Sequence, residues 1–198
     1  MDEASRDPGL RRAVLVVALL NLGYFGIEFA VAGAIGSVSL FADSVDFLED
    51  ASINLLILVA LGWPAVWRAR LGMALAAIIL VPGLATLWTA WTKVMTPTAP
   101  EPFILSLTGL GALAVNLACA LILSRYRRHG GSLTRAAFLS ARNDTLVNMA
   151  IIVAGLVTWL SVSAWPDVIV GLGIALMNAD AAREVWQAAR AEHRSAAA

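Results

Sequence analysis

The sequence predicts an all-α, polytopic membrane protein of six transmembrane helices with both termini in the cytoplasm. Three observations predict it. The 198 residues are 60% hydrophobic and only 14% charged, with a mean hydropathy of +0.78, whereas soluble domains run at about 45–50% and 25%. Leu71–Thr92, Pro102–Ser124 and Thr145–Pro166 contain no Asp, Glu, Lys or Arg, and each matches the roughly 20 apolar residues that cross a bilayer. The basic residues, finally, gather on one side of the spans that these windows imply.

The first span is predicted at Arg11–Gly33, after a short cytoplasmic segment 1–10. It is too polar inside, and lacks the small-residue cleavage site, for a signal peptide. The second, Leu40–Gly62, follows the hairpin-length connection Ala34–Ser39. The third, Arg70–Val94, and the fourth, Phe103–Arg125, are preceded by Trp63–Ala69 and Met95–Pro102, which carry the prolines expected between helices. The fifth is predicted at Ala136–Leu160 and the sixth at Pro166–Ala188, joined through Ser161–Trp165. The transmembrane domain then covers 11–188, with a short cytoplasmic tail at 189–198.

Orientation follows from the bases. Arg6, Arg11, Arg12, Arg68, Arg70, Arg125, Arg127, Arg128, Arg135, Arg183, Arg190 and Arg194 fall on the side of the termini, and Lys93 alone on the other. Trp63, Trp67, Trp88, Trp91, Trp159, Trp165 and Trp186 fall at span ends, as an interfacial aromatic belt requires. A soluble enzyme is excluded. With 14 Lys+Arg against 14 Asp+Glu, so is a nucleic-acid binder working by net basicity. A single cysteine, Cys119, excludes a disulfide framework and a cysteine-rich metal site. His129 and His193 are read as solvated loop and tail residues.

The informative feature is acid at membrane depth, which is costly and marks an ion pathway. The second span holds Asp43, Asp46, Glu49 and Asp50, the fifth Arg142 and Asp144, and the first Glu28. Asp46 and Asp50 are four apart and share a helix face, which Asp43 and Asn54 extend. On the fifth span Ser140, Asp144 and Asn148 form a second stripe of the same period. Facing lipid, each carboxylate would cost about 2.5–3.5 kcal/mol, so the two stripes are expected to face one another. Clustered carboxylates repel unless a cation or protons neutralise them, and metal and protons competing for the same oxygens is what an antiporter requires. Glu28 is open between a group behind the ligands, a proton carrier and a partner of Arg142.

At these residues the sequence resembles the cation diffusion facilitator (cation efflux) family. Ile35–Asn54 is similar to that family's second-helix signature, in which a His or Asp is followed four residues later by Asp, here Asp46 and Asp50. Val115-Asn116-Leu117 resembles its fourth helix, Thr134–Asn148 its fifth, and Pro166-Asp167 with the following Val-Ile-Val-Gly-Leu the start of its sixth. The resemblance implies a divalent cation exporter exchanging metal for protons, with Asp46, Asp50, Asp144 and Ser140 as ligands and Asp43, Glu28, Asn54, Asn148 and Arg142 behind them or in a proton relay. It further implies a homodimer, built through the transmembrane helices if the family's cytoplasmic C-terminal domain is lacking, and a bacterial inner or plasma membrane. No cofactor is expected beyond the transported ion. Ser140 stands where the family has a ligand histidine. The resulting oxygen-rich set suits harder ions such as Mn²⁺, so Zn, Mn, Fe and Co stay open. A non-transporting metal-binding member is the alternative reading. A membrane phosphotransferase is a distant third, because the Asp-Gly-x-x-Ala-Arg lead-in of the CDP-alcohol enzymes is missing before Asp46.

Overall fold

The structure, a computed structural model, describes residues 8–60, 65–126 and 131–178. Six helices run through them: α1 Pro8–Ile35, α2 Val38–Ala60, α3 Ala65–Met95, α4 Pro102–Ser124, α5 Gly131–Ser161 and α6 Trp165–Asn178. No strand occurs among the described residues. Each helix coincides with one expected span. However, α3 begins at Ala65 rather than Arg70 and α5 at Gly131 rather than Ala136. Hydropathy marks where the membrane starts, whereas backbone hydrogen bonding carries a helix on into water. Trp63, Trp186, Arg6, Arg127, Arg128, Arg183, Arg190, Arg194, His129, His193 and the tail 189–198 lie outside the described residues.

By length and composition α1, α4 and the Ser140–Ser161 part of α5 can cross a bilayer. The 23-residue α2 has the length, but carries four acids along it. Large apolar side chains such as Leu19, Ile27, Leu84, Leu107, Leu121, Leu146, Leu160 and Leu176 point outward, a surface that suits lipid and not water. Trp88, Trp91, Trp159 and Trp165 are exposed near the ends of α3, α5 and α6.

The turns are chemically specified. α1 starts with Pro8 at its first position, where a missing N–H costs nothing. It ends at Gly36, whose φ of +62° is the left-handed conformation of a helix C-terminus. The Ser37 amide returns to Ala32 O at 3.0 Å, closing that cap. Ser37 then begins α2, its Oγ accepting from the Leu40 amide at 3.2 Å. Glu101 caps α4 by accepting from the Phe103 and Ile104 amides ahead of Pro102.

The helices alternate in direction, and apolar clusters hold the two ends of the bundle. At the end carrying the N-terminus, Leu10, Val14 and Val17 of α1 pack with Cys119 and Leu123 of α4 and Ala141 of α5. Toward the opposite end, Ala32, Leu40, Phe41, Leu105, Ile151 and Ile174 form a second cluster, and Val38, Ala90 and Val168 tie α2, α3 and α6 together. α6 crosses the start of α2 at Gly171, where an added Cβ would lie 2.6 Å from Ser39 N and Val38 C. Backbone cannot yield as a side-chain tip does. Gly171→Ala is therefore expected to destabilise the detergent-solubilised protein by about 1–3 kcal/mol in thermal unfolding, the usual cost of overpacking. Gly173→Ala is the control, since no heavy atom lies within 4 Å of its added Cβ.

Candidate functional site

The two polar stripes do meet, in antiparallel register. At one end of the contact Ser140 Oγ donates to Asp50 Oδ1 at 2.9 Å. At the other, Asn148 Nδ2 donates to Asp43 Oδ2 at 2.6 Å. Asp46 and Asp144 lie between, within electrostatic reach of one another, and Asp144 is in direct side-chain contact with Asp50. This register follows from helix geometry. α2 and α5 run in opposite directions, so residues a turn apart on one match residues a turn apart on the other.

Asn148 extends the arrangement to α4, because its Oδ1 accepts from Asn116 Nδ2 at 3.0 Å. Asn54 turns back on its own helix, with Nδ2 donating to Asp50 O at 2.8 Å. Burial differs between members of the stripes, with Asp50 and Asn54 buried. Asp46, Asp144 and Ser140 are half-buried, whereas Asp43, Asn148 and Glu28 have no exposed surface. By the helical rise of about 1.5 Å per residue, Asp50 is about midway along α2 and Asp43 nearer its start. Glu49 is buried beside Asp50 and Asp46 but falls outside the ligand pattern read from the sequence.

One placement corrects an expectation, and another adds a partner. Arg142 is exposed and donates to Asn143 Oδ1 at 3.5 Å, and among the described residues neither carboxylate oxygen of Glu28 has a hydrogen-bond partner. Arg142 is thus neither the partner of Glu28 nor a counter-ion for the acids. The reason is angular: two residues from both Ser140 and Asp144, it lies about 200° around α5 from their stripe. Lys93, read as the lone base on the far side, is 5% exposed and reaches Asp167 Oδ2 at 3.5 Å.

Asp167 is the hub of that end. Its Oδ1 accepts from Ser37 Oγ and Ser39 Oγ, both at 2.6 Å, and from the Ser39 amide at 3.1 Å. Its Oδ2 accepts from the Val38 amide at 2.8 Å. A carboxylate in the first turn of α6 therefore satisfies the free amides of α2 and meets the positive end of its dipole. That fixes the height and rotation of the helix that carries Asp43, Asp46 and Asp50. The sequence signal is Pro166-Asp167 at the start of the sixth span, which marks the helix and not its partner on α2.

The arrangement offers oxygen donors and, among the described residues, no Lys or Arg pairs with any of them. Among those residues no three Asp, Glu, His or Cys side chains converge as a metal-holding group. The stripes face each other along the helices without closing around a single point among the described residues.

The profile of the cation efflux transmembrane domain matches residues 14–190, reaching into all six helices and including every residue of both stripes. A comparison with curated proteins gives no match. With that match over most of its length, on a helical bundle whose acids face inward, the chain belongs to the cation efflux family, integral membrane proteins that transport metal cations.

Proposed function

We propose that this protein exports a divalent metal cation from the cytoplasm in exchange for protons, using Asp46, Asp50 and Asp144 as ligands and Ser140 as a weak ligand or a holder of coordinating water. The observation that carries the reading is the antiparallel meeting of the stripes, Asp50 with Ser140 and Asp43 with Asn148. In support, Asp46 and Asp144 lie within electrostatic reach of one another, and among the described residues no Lys or Arg pairs with either. Oxygen donors with high negative charge demand a hard or borderline cation, and protons compete for the same oxygens. The clustering of bases toward the side of the termini supports cytoplasmic ends for the 11–188 domain. A homodimer through the transmembrane helices in a plasma membrane completes the proposal.

The test is metal flux into proteoliposomes of the purified chain, run ion by ion with Zn²⁺, Mn²⁺, Fe²⁺ and Co²⁺ and with internal pH varied. Flux that responds to metal and to the pH gradient supports the reading, and metal binding without flux supports the non-transporting alternative. Ser140→His bears on selectivity. Imidazole is a far better zinc donor than a hydroxyl, so the variant is expected to shift transport toward Zn²⁺ over Mn²⁺ by about tenfold, or 1.4 kcal/mol. Equal indifference to all four metals in both forms would contradict a working carrier.

A further inference from the structure

We propose that Glu28 and Asp43 form a proton-binding pair, separate from the metal ligands, in which Glu28 carries the proton and donates it to Asp43. Glu28 is wholly buried on α1, and among the described residues neither of its carboxylate oxygens has a hydrogen-bond partner. It points into the α1–α2 interface, in direct side-chain contact with Asp43 and within electrostatic reach of Asp46. Asp43 is equally buried; one of its oxygens takes the Asn148 amide, and the other, Oδ1, has no partner.

Two carboxyl groups in contact supply four acceptors and no donor. The contact becomes a hydrogen bond only when one of them holds a proton. Two bare carboxylates facing each other in a dry interior would carry both the desolvation penalty and their mutual repulsion, several kcal/mol per ion. Asn148 decides which group keeps the proton. Its amide donates to Asp43 and so favours the charged form there, whereas nothing donates to Glu28. The other titratable groups facing the pair sharpen this. Tyr24 on α1, whose hydroxyl is committed to Thr108 O at 2.6 Å, Asp46 on α2 and Asp144 on α5 bring no positive charge. From α4 come the neutral Asn116, which holds Asn148, and Cys119, whose Sγ faces Asn21 Oδ1 at 3.8 Å.

The role in transport rests on the antiport reading above. With one proton the pair bears one negative charge and without it two. A divalent cation arriving near Asp46 offsets the second charge and releases the proton, while reprotonation of Glu28 weakens the hold on the metal. The presence of the proton does not rest on that reading, so the two are tested apart.

Infrared spectroscopy of the purified chain in lipid at neutral pH should show a protonated-carboxyl C=O band that is lost in Glu28→Gln, shifted in Asp43→Asn and untouched in Glu101→Gln at the exposed α4 cap. Glu28→Gln is isosteric with the protonated acid, so its thermal midpoint should stay at the wild-type value, showing that it folds. Persistence of the whole band in folded Glu28→Gln overturns the pair. In proteoliposomes with Zn²⁺ or Mn²⁺, Glu28→Gln should lose the acceleration that a pH gradient gives the wild type. A wild-type response to the gradient in that variant overturns the role in coupling. Absence of metal flux in the wild type with the band present would sink the transporter reading and leave the pair standing.

Discussion

Replacing Asp50 and Asp144 together by alanine is expected to abolish metal flux in proteoliposomes and to reduce metal affinity beyond the roughly 10–100-fold that loss of an outer-shell partner costs. The two carboxyls are in side-chain contact across α2 and α5, so the double replacement removes the centre of the facing stripes and strands Ser140 without its acceptor. Stability should move the other way. Asp50 and Asp144 in contact, with the Ser140 hydroxyl as the donor to Asp50, are held against desolvation and repulsion, and their removal is expected to raise the thermal midpoint of the metal-free protein. The wild type should recover that stability on adding metal. A ligand at 100 times its Kd stabilises by about 2.7 kcal/mol, a gain the variant should lack. Lowering the pH should weaken the metal-induced gain in the wild type, because protons occupy the same oxygens. Undiminished flux in the double variant would remove these residues from the ligand set.

Asp167→Ala should be the most destabilising single change. It deletes the acceptor for two α2 amides and two serine hydroxyls and leaves Lys93 buried without its anion. Breaking a buried pair by removing one partner costs about 3–5 kcal/mol, measurable as a drop in thermal stability in detergent. Lys93→Met alone should be costly as well, since Asp167 would keep its charge. Combining Lys93→Met with Asp167→Asn should recover part of the loss, with a coupling energy of about 1–3 kcal/mol. Transport in the Asp167→Ala protein that survives should fall too, because α2 loses the contact that sets its height against α5. Additive losses in the combined variant would show that Lys93 and Asp167 act independently.

Helix number, order and the pairing of α2 with α5 were legible because each rests on periodicity. Uncharged runs of spanning length mark helices, and four-residue spacing puts Asp46 with Asp50 and Ser140 with Asp144 and Asn148 on single faces. The cost of acid in lipid then turns those faces inward. Less legible was anything that depends on which residue lies across a gap. Arg142 reads as a candidate partner of Glu28, yet its helical phase sends it outward. Lys93 reads as the lone base on the far side and Asp167 as part of a likeness to a sixth-helix start. Their pairing brings together the end of α3 and the start of α6, far apart along the chain, and no local pattern encodes it. Asn116 carried only a likeness to a fourth-helix motif, and its hold on Asn148 depends on the rotation of α4.

Composition and spacing alone were enough for the bilayer as solvent, six spans, and two acidic or polar faces that must avoid lipid. Those follow from transfer energies and the helical repeat, which act on each segment wherever the others lie. Three things needed the packed bundle: the register that sets Asp50 against Ser140 and Asp43 against Asn148, the isolation of Glu28 with Asp43 as its contact, and the anchoring of α2 by Asp167. These depend on the relative height and rotation of helices, set by close contacts such as Gly171 on Val38 and Ser39, and a helix's own sequence holds no record of its neighbour's height.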